Sequence, residues 1–348
     1  MAMERTETDA LSEPPSGRRA RRTAVRAVVA VVAVVAVGGA ALTVAHLDSR
    51  GTSTGPALQR FRNGAIVLLV SKRGLTGIDG DLYSVDPGGT VMRRVPGSRD
   101  AVGAAFSPDG TRLLLAQSPD ESGSNIVVMN ADGTDRHVIA AAGSTNPARA
   151  ALWQFPSWLP DGAGVRVYRN DRGGPAQGLW TANADGSNLK LKIPRWVPFL
   201  ATWSPDGTRI AWEGDRGTGA GGADLFVSDA TGAHRQRLTS DPGQVGTMSW
   251  SPNGKRIVFA NGGAIDVIDA DGRGRRTIFR CDGACLGAAF PVWSPDGTQI
   301  VFSSPYPGSP GRPFTQRAEV MDADGSHVRP LLDGSLSGIP VAWQPLPD

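Results

Sequence analysis

Two cysteines and four histidines are the whole supply of thiol and imidazole in 348 residues. So few exclude a disulfide-dense scaffold, and two thiols alone do not complete a zinc site. No Gly-x-Ser-x-Gly elbow followed by an acid and a histidine can be assembled, which removes a serine hydrolase of the α/β type. After position 50 no 18-residue stretch carries an amphipathic helical period, while 45 glycines and 26 prolines supply the tight turns of an all-β chain.

Charge is missing from one place only. Residues 27–45 are uncharged and dominated by Val and Ala, and 19 helical residues reach about 28 Å, close to the hydrocarbon thickness of a bilayer. Arg18, Arg19, Arg21, Arg22 and Arg26 precede this stretch and only Arg50 follows it closely. That asymmetry predicts a cytoplasmic, disordered basic tail over 1–26, a transmembrane signal anchor over 27–46 and a linker over 47–60, with the rest outside the cell membrane. Small residues at Gly39 and Ala41, or Thr43 and Ala45, leave cleavage and a secreted or periplasmic product as the alternative. No cysteine lies at the end of the apolar stretch, so a lipoprotein anchor is excluded.

With residues 1–46 set aside, 30 basic residues face 29 acidic ones. With a balance this near neutral the basic pI is no argument for nucleic acid, whose binding would need a clustered basic face, and no nucleic-acid partner is expected. The arginines before the apolar stretch act as a topology signal and suit acidic lipid headgroups.

The remainder is a repeat. Trp-Ser-Pro-Asp/Asn-Gly occurs at Trp203, Trp250 and Trp293, with variants at Phe106, Trp158 and Trp343; the spacings are 52, 45, 47, 43 and 50 residues. Such a period fits one four-stranded propeller blade. A second turn recurs as Asn130-Ala-Asp-Gly, Asn183-Ala-Asp-Gly, Asp269-Ala-Asp-Gly and Asp322-Ala-Asp-Gly, with Asp229-Ala-Thr-Gly as a variant. Strand, turn, strand, loop, strand, turn, strand is the order in each copy. The first copy holds only three strands, at 65–70, 81–85 and 91–95, so Ile339–Trp343 is expected to complete it and close a six-bladed β-propeller over 61–346. Each Trp is expected in the apolar layer between blades, and closure would remove two sheet edges.

These motifs resemble the WD-like repeats of the TolB propeller. That resemblance implies a six-bladed propeller outside the cytoplasmic membrane that binds protein partners, among them a peptidoglycan-associated lipoprotein. Two departures stand beside it: TolB proteins carry an α/β domain before the propeller where only a linker precedes Phe61 here, and they are soluble after signal removal. Similar repeats also accompany prolyl oligopeptidases, whose hydrolase domain has no counterpart in this sequence, and some propeller lyases and lactonases resemble the fold and hold a metal near the axis.

His137, His234 and His327 follow turn glycines of separate repeats, so they should be surface residues that share no ion, and His46 belongs to the membrane edge. Ala105, Ser157, Thr202, Ser249, Val292 and Ala342 precede the six aromatics, and none is charged. No cofactor is therefore expected, with Ca²⁺ in the channel left as an alternative supplied by loops. Cys281 and Cys285 are expected to form a disulfide.

Both repeated turns lie at one end of the strands, so the variable connections gather at the other. Trp153, Arg195, Trp196 and Tyr306 are the expected partner-binding residues there. The sequence thus predicts a membrane-anchored, non-catalytic binding or scaffolding module for an envelope protein or a cell-wall glycan. A propeller enzyme or a carbohydrate-binding sensor with a channel metal is the other reading, and the oligomeric state is left open.

Overall fold

A computed structural model of the chain describes residues 61–71, 80–118, 123–141, 143, 151–171, 174–195, 200–215, 222–240, 244–307, 314–332 and 338–347. The tail, anchor and linker expected over 1–60 lie outside the described residues. Among the described residues there is no helix long and apolar enough to cross a membrane.

Every described element is a strand, and every pairing is antiparallel. The chain begins with β1 (Phe61–Ser71), β2 (Gly80–Val85) and β3 (Met92–Arg94), followed by β4 (Ala101–Phe106), β5 (Arg112–Gln117), β6 (Asn125–Asn130) and β7 (His137–Ala140). It continues through β8 (Leu152–Trp158), β9 (Gly164–Asn170), β10 (Gly178–Asn183), β11 (Lys190–Pro194), β12 (Ala201–Trp203), β13 (Arg209–Asp215), β14 (Ala223–Asp229) and β15 (Gln236–Arg237). The last third holds β16 (Val245–Trp250), β17 (Arg256–Asn261), β18 (Ala264–Asp269), β19 (Arg276–Arg280), β20 (Ala289–Trp293), β21 (Gln299–Pro307), β22 (Phe314–Asp322), β23 (Arg329–Pro330) and β24 (Ile339–Pro347). Strands β8–β11, β12–β15, β16–β19 and β20–β23 form four four-stranded sheets, and the remaining eight strands form one larger sheet. That larger sheet is two units, β24-β1-β2-β3 and β4–β7, held to one another by the single pair Gly80↔Ala101. The inner strands β4, β8, β12, β16, β20 and β24 touch in that order, and β24 touches β4 again. Sheets arranged radially about a cycle of inner strands make a propeller-like fold.

The closing strand is where the sequence placed it. β24 pairs antiparallel with β1 through Ile66↔Trp343, Val67↔Ala342 and Leu68↔Pro340, and Val341 falls at the bulge between the last two. Pairing also extends further than expected, to Phe61↔Pro347. Ile66, Val67, Leu68, Val341, Ala342 and Trp343 are all buried in one cluster, so the two ends of the described chain share a core.

The layer between sheets is not purely apolar. Arg112 lies 4.5 Å over Trp158, Arg166 3.9 Å over Trp203, Arg209 4.8 Å over Trp250 and Arg256 5.2 Å over Trp293. In each case the arginine begins or follows the start of the second strand of one sheet and covers the repeat tryptophan of the next. Three of them also donate to the carbonyl of the next turn glycine: Arg112 to Gly162 at 2.8 Å, Arg166 to Gly207 at 3.4 Å and Arg209 to Gly254 at 2.6 Å. Burial lowers the Arg166 pKa to about 10. Gln299 stands where the sixth repeat would have its arginine, and at that seam Asn63 donates to Asp296 at 2.9 Å. At the next seam Gln344 donates to Gly110 O at 2.8 Å.

This ladder is testable. Arg209→Ala should lower the unfolding free energy by about 2 kcal/mol, the sum of a partly desolvated cation–π contact and one charge-assisted hydrogen bond. Arg209→Lys should recover less than half, because an ammonium cannot stack and fork together. Urea unfolding of both variants reads the difference, and equal stability of wild type and Arg209→Ala would remove the ladder from the account.

Candidate functional site

The recurrent turns occupy one end of the strands, the turn face, and the connections from second to third strand and from sheet to sheet occupy the other, the loop face. The histidines expected at the surface belong to the turn face. His234 and His327 have φ of 49° and 53°, a left-handed position that Asp135, Asn188 and Gly274 fill in the other repeats; it favours Gly, Asn and Asp, and His tolerates it. Each ring is held by its own turn, His234 Nδ1 against Asp229 at 2.6 Å and His327 Nδ1 against Asp322 at 2.7 Å. The Asp322 carboxylate raises the His327 pKa above its ordinary value. Among the described residues no three His, Cys, Asp or Glu side chains gather as metal ligands. A recess of about 580 Å³ also opens on the turn face between β4–β7 and β8–β11, lined by Arg112, His137, Asp185 and neighbours. Its arginine is already engaged by Trp158 and Gly162.

On the loop face the most developed geometry lies where β16–β19 meets β20–β23. β21 and β22 form a hairpin of nine residues a side, with register Phe302↔Glu319, Ser304↔Arg317 and Tyr306↔Thr315. Period-two alternation puts Phe302, Ser304, Tyr306, Arg317 and Glu319 on one face. Phe302 packs 4.7 Å from Phe279 of β19, so that face looks toward the preceding sheet. Tyr306 donates its hydroxyl to Glu319 Oε1 at 2.8 Å, and the Arg317 guanidinium lies 4.2 Å over its ring. Burial, with Glu319 adding to it, raises the Tyr306 pKa to about 12, so the phenol remains a donor throughout the physiological range. Ser304 Oγ, Arg317 Nε and Glu319 Oε2 are sealed from solvent and make no hydrogen bond. Three such atoms on one face are an exception to the rule that buried polar groups are paired.

The connection above this hairpin is clamped. Cys281 and Cys285 form a disulfide, as expected, and Leu286 N donates to Pro305 O at 2.7 Å. The Leu286 side chain is 62% exposed. Asp282 on the same connection is exposed and its charge acts on Tyr306.

A second corner, at the loop-face end of β8–β11, repeats part of this arrangement. Arg169 of β9 lies 5.3 Å from the Trp153 ring and 5.8 Å from the Trp180 ring, and its Nε is buried without a hydrogen bond. Two residues on, Asp171 accepts from Ala176 N at 3.2 Å through one oxygen while the other is buried and unbonded.

The expected binding residues do not converge. Trp153 is a correction: it is not a loop residue but part of β8, 2% exposed, with its indole donating to Ala141 O at 2.9 Å and its amide donating to Ser124 Oγ at 2.6 Å. The inner strand starts earlier than the Trp-Leu-Pro-Asp-Gly motif suggested, and its first aromatic is core. Arg195 is exposed just after β11 with φ 59°, its amide donating to Gln177 O at 2.7 Å. Trp196 lies outside the described residues, and Tyr306 stands in a different sheet from Trp153. Arg317, Glu319 and Leu286 were not singled out by the sequence; the alternating Arg317-Ala-Glu319 beyond the Pro-rich segment was the available signal.

No family model matches the chain. Over 125 residues it is 32% identical to the Tol-Pal system protein TolB of Anaeromyxobacter dehalogenans, a match covering 36% of this chain. The matched part spans only 26% of that TolB's length. Among solved structures, a TolB-type protein of Agrobacterium tumefaciens superposes with a TM-score of 0.55 at 20% identity, covering 83% of this chain and 99% of that one. TolB of Acinetobacter baumannii gives 0.59 at 18% identity, covering 81% of this chain and 66% of that one. In fold, the described chain is a TolB-like β-propeller.

Proposed function

We propose that the chain is a closed six-bladed propeller, tethered outside the cytoplasmic membrane by residues 27–46, that binds an envelope protein through its loop face and performs no catalysis. The cycle of inner strands supports the blade number. Likeness to TolB, a protein named for the Tol-Pal system, supports a binding role in the envelope. The apolar segment and its flanking arginines support the tether, and no resident cofactor enters this reading.

The observation that carries it is the corner formed by Leu286, Tyr306 and Arg317. Tyr and Arg are favoured at binding hot spots, and here the phenol is fixed by Glu319 and the guanidinium by the ring. The adjacent leucine is presented on a disulfide-closed connection, so little conformational entropy is lost on binding.

A photo-crosslinking residue at Leu286 in intact cells tests the reading. A discrete adduct of defined mass is expected at Leu286, absent when the same residue replaces Asp271 on the turn face and weakened about tenfold by Arg317→Ala. Adducts at Asp271 but not Leu286 would place binding on the other face and refute the reading.

A further inference from the structure

Resting on the tether in that reading, the place where the tether joins the propeller has the chemistry of a contact surface. The described chain begins at Phe61, and a second open recess, of about 330 Å³, lies beside it at the turn-face end of the first sheet. Ala65 of β1, Asp86 and Pro87 of the turn after β2, Val91 and Arg93 at β3, and Leu346 of β24 line it. Val91 is 47% exposed, second only to Leu286 among the large apolar side chains described, and Leu346 is half-buried. A lone exposed valine needs no explanation, but Val91, Pro87 and Leu346 together make an apolar wall open to solvent.

The charge around that wall is of one sign. Arg93 is exposed within the recess, and two further exposed arginines stand at its edge. Arg329 of the neighbouring sheet donates to Pro87 O at 3.3 Å, and Arg62, opposite Leu346 in the register, donates to Pro347 O at 3.4 Å. Asp86 is the one carboxylate in the lining, and its own turn takes up its oxygens: Gly88 N donates at 3.1 Å, Thr90 Oγ1 at 3.0 Å, and Val91 N also donates. A ligand that suits the recess therefore joins an anionic head to an apolar continuation. A free inorganic anion would leave the Val91 wall wet, and an apolar peptide would leave the guanidinium groups without an anion. A phospholipid carries both parts in one molecule.

The tether names the source. The 14 residues of 47–60 span at most about 50 Å when fully extended, and they arrive at Phe61, so this end of the first sheet is the part of the propeller held nearest the headgroups. We infer that the recess docks on the outer leaflet of the membrane, with Arg93, Arg329 and Arg62 taking the phosphate of an anionic phospholipid and Val91 reaching its glycerol and upper acyl region. Docked in this way, the propeller keeps its turn face toward the bilayer and presents the loop face, with Leu286, to the envelope.

The test places a photo-crosslinking residue at Val91 or at Leu286 of the full chain, held in nanodiscs of phosphatidylcholine with or without one lipid in four replaced by phosphatidylglycerol. Mass spectrometry should find a phospholipid adduct at Val91 and none at Leu286, with the Val91 yield raised about fivefold by phosphatidylglycerol. Arg93→Gln combined with Arg329→Gln should cut the yield in the charged discs by about tenfold, since each arginine near an anionic surface is worth about a factor of five. Equal lipid adducts at Val91 and Leu286 would overturn the inference, as would a Val91 yield indifferent to phosphatidylglycerol or to the two arginines. Co-elution of the chain with the discs is read separately. A chain that does not travel with the discs refutes the tether and this inference with it, whereas a chain that does, without a lipid adduct at Val91, overturns the inference alone.

Discussion

Gly110→Ala is expected to destabilise the protein by about 3 kcal/mol, the sum of a left-handed backbone penalty and an overlap that cannot relax locally. Gly110 has φ 71°, and a Cβ built there would lie 1.9 Å from Pro345 O, on the strand that closes the propeller. Gly110 also holds the seam from its own side, since its carbonyl accepts from the Gln344 amide at 2.8 Å. Relief therefore requires β24 to move away from the β4–β7 unit. Gly262→Ala isolates the backbone part: its φ is 57° and nothing lies within 4 Å of the added carbon, so about 1–2 kcal/mol is expected. Chemical denaturation should separate the two variants, and a Gly110→Ala effect no larger than that of Gly262→Ala would mean that the seam is not tight.

Glu213 supplies the second large effect, one that depends on pH. It lies in β13, 9% exposed, and its Oε2 makes no hydrogen bond. Burial raises its pKa from 4.5 to about 7. Between those values the folded state holds a proton that the unfolded state has released, so stability falls as pH rises from 4.5 and levels off above 7. A difference of that size corresponds to roughly 3 kcal/mol. Glu213→Gln removes this dependence. The variant should match wild type near pH 4.5, gain on it through pH 6 and exceed it by up to about 3 kcal/mol at pH 8. Parallel stability profiles for the two proteins from pH 4.5 to 8 would show that the carboxyl is solvated or paired.

The strand order, both turns and the closing strand were legible because each is written in short-range chemistry. Pro-Asp-Gly sets a turn whatever surrounds it, and β1, β2 and β3 overlap the strands read at 65–70, 81–85 and 91–95. The partner of each tryptophan was not legible. Arg112, Arg166, Arg209 and Arg256 look like solvated strand residues, and only the placement of one sheet against the next turns them into lids over indoles.

Binding residues were read less well for a related reason. Trp153 was placed in a connection because its strand carries no turn motif at its start, yet the Ser124 hydroxyl and the Ala141 carbonyl hold it in the core. Tyr306 was chosen on composition; what makes it a candidate site is the register of a nine-residue hairpin, which brings Arg317 and Glu319 to its face across a Pro-rich segment. No local pattern states that register. Glu213 likewise reads as an ordinary surface acid, and only the folded chain shows it buried.

A rigid loop face presupposes that the two ends of the propeller are locked as one sheet. Native-state hydrogen exchange of Val341, Ala342 and Trp343 tests that lock directly. The account predicts that these amides exchange only with global unfolding, at the same free energy as those of β17. Exchange of β24 by local fraying while β17 remains protected would contradict it.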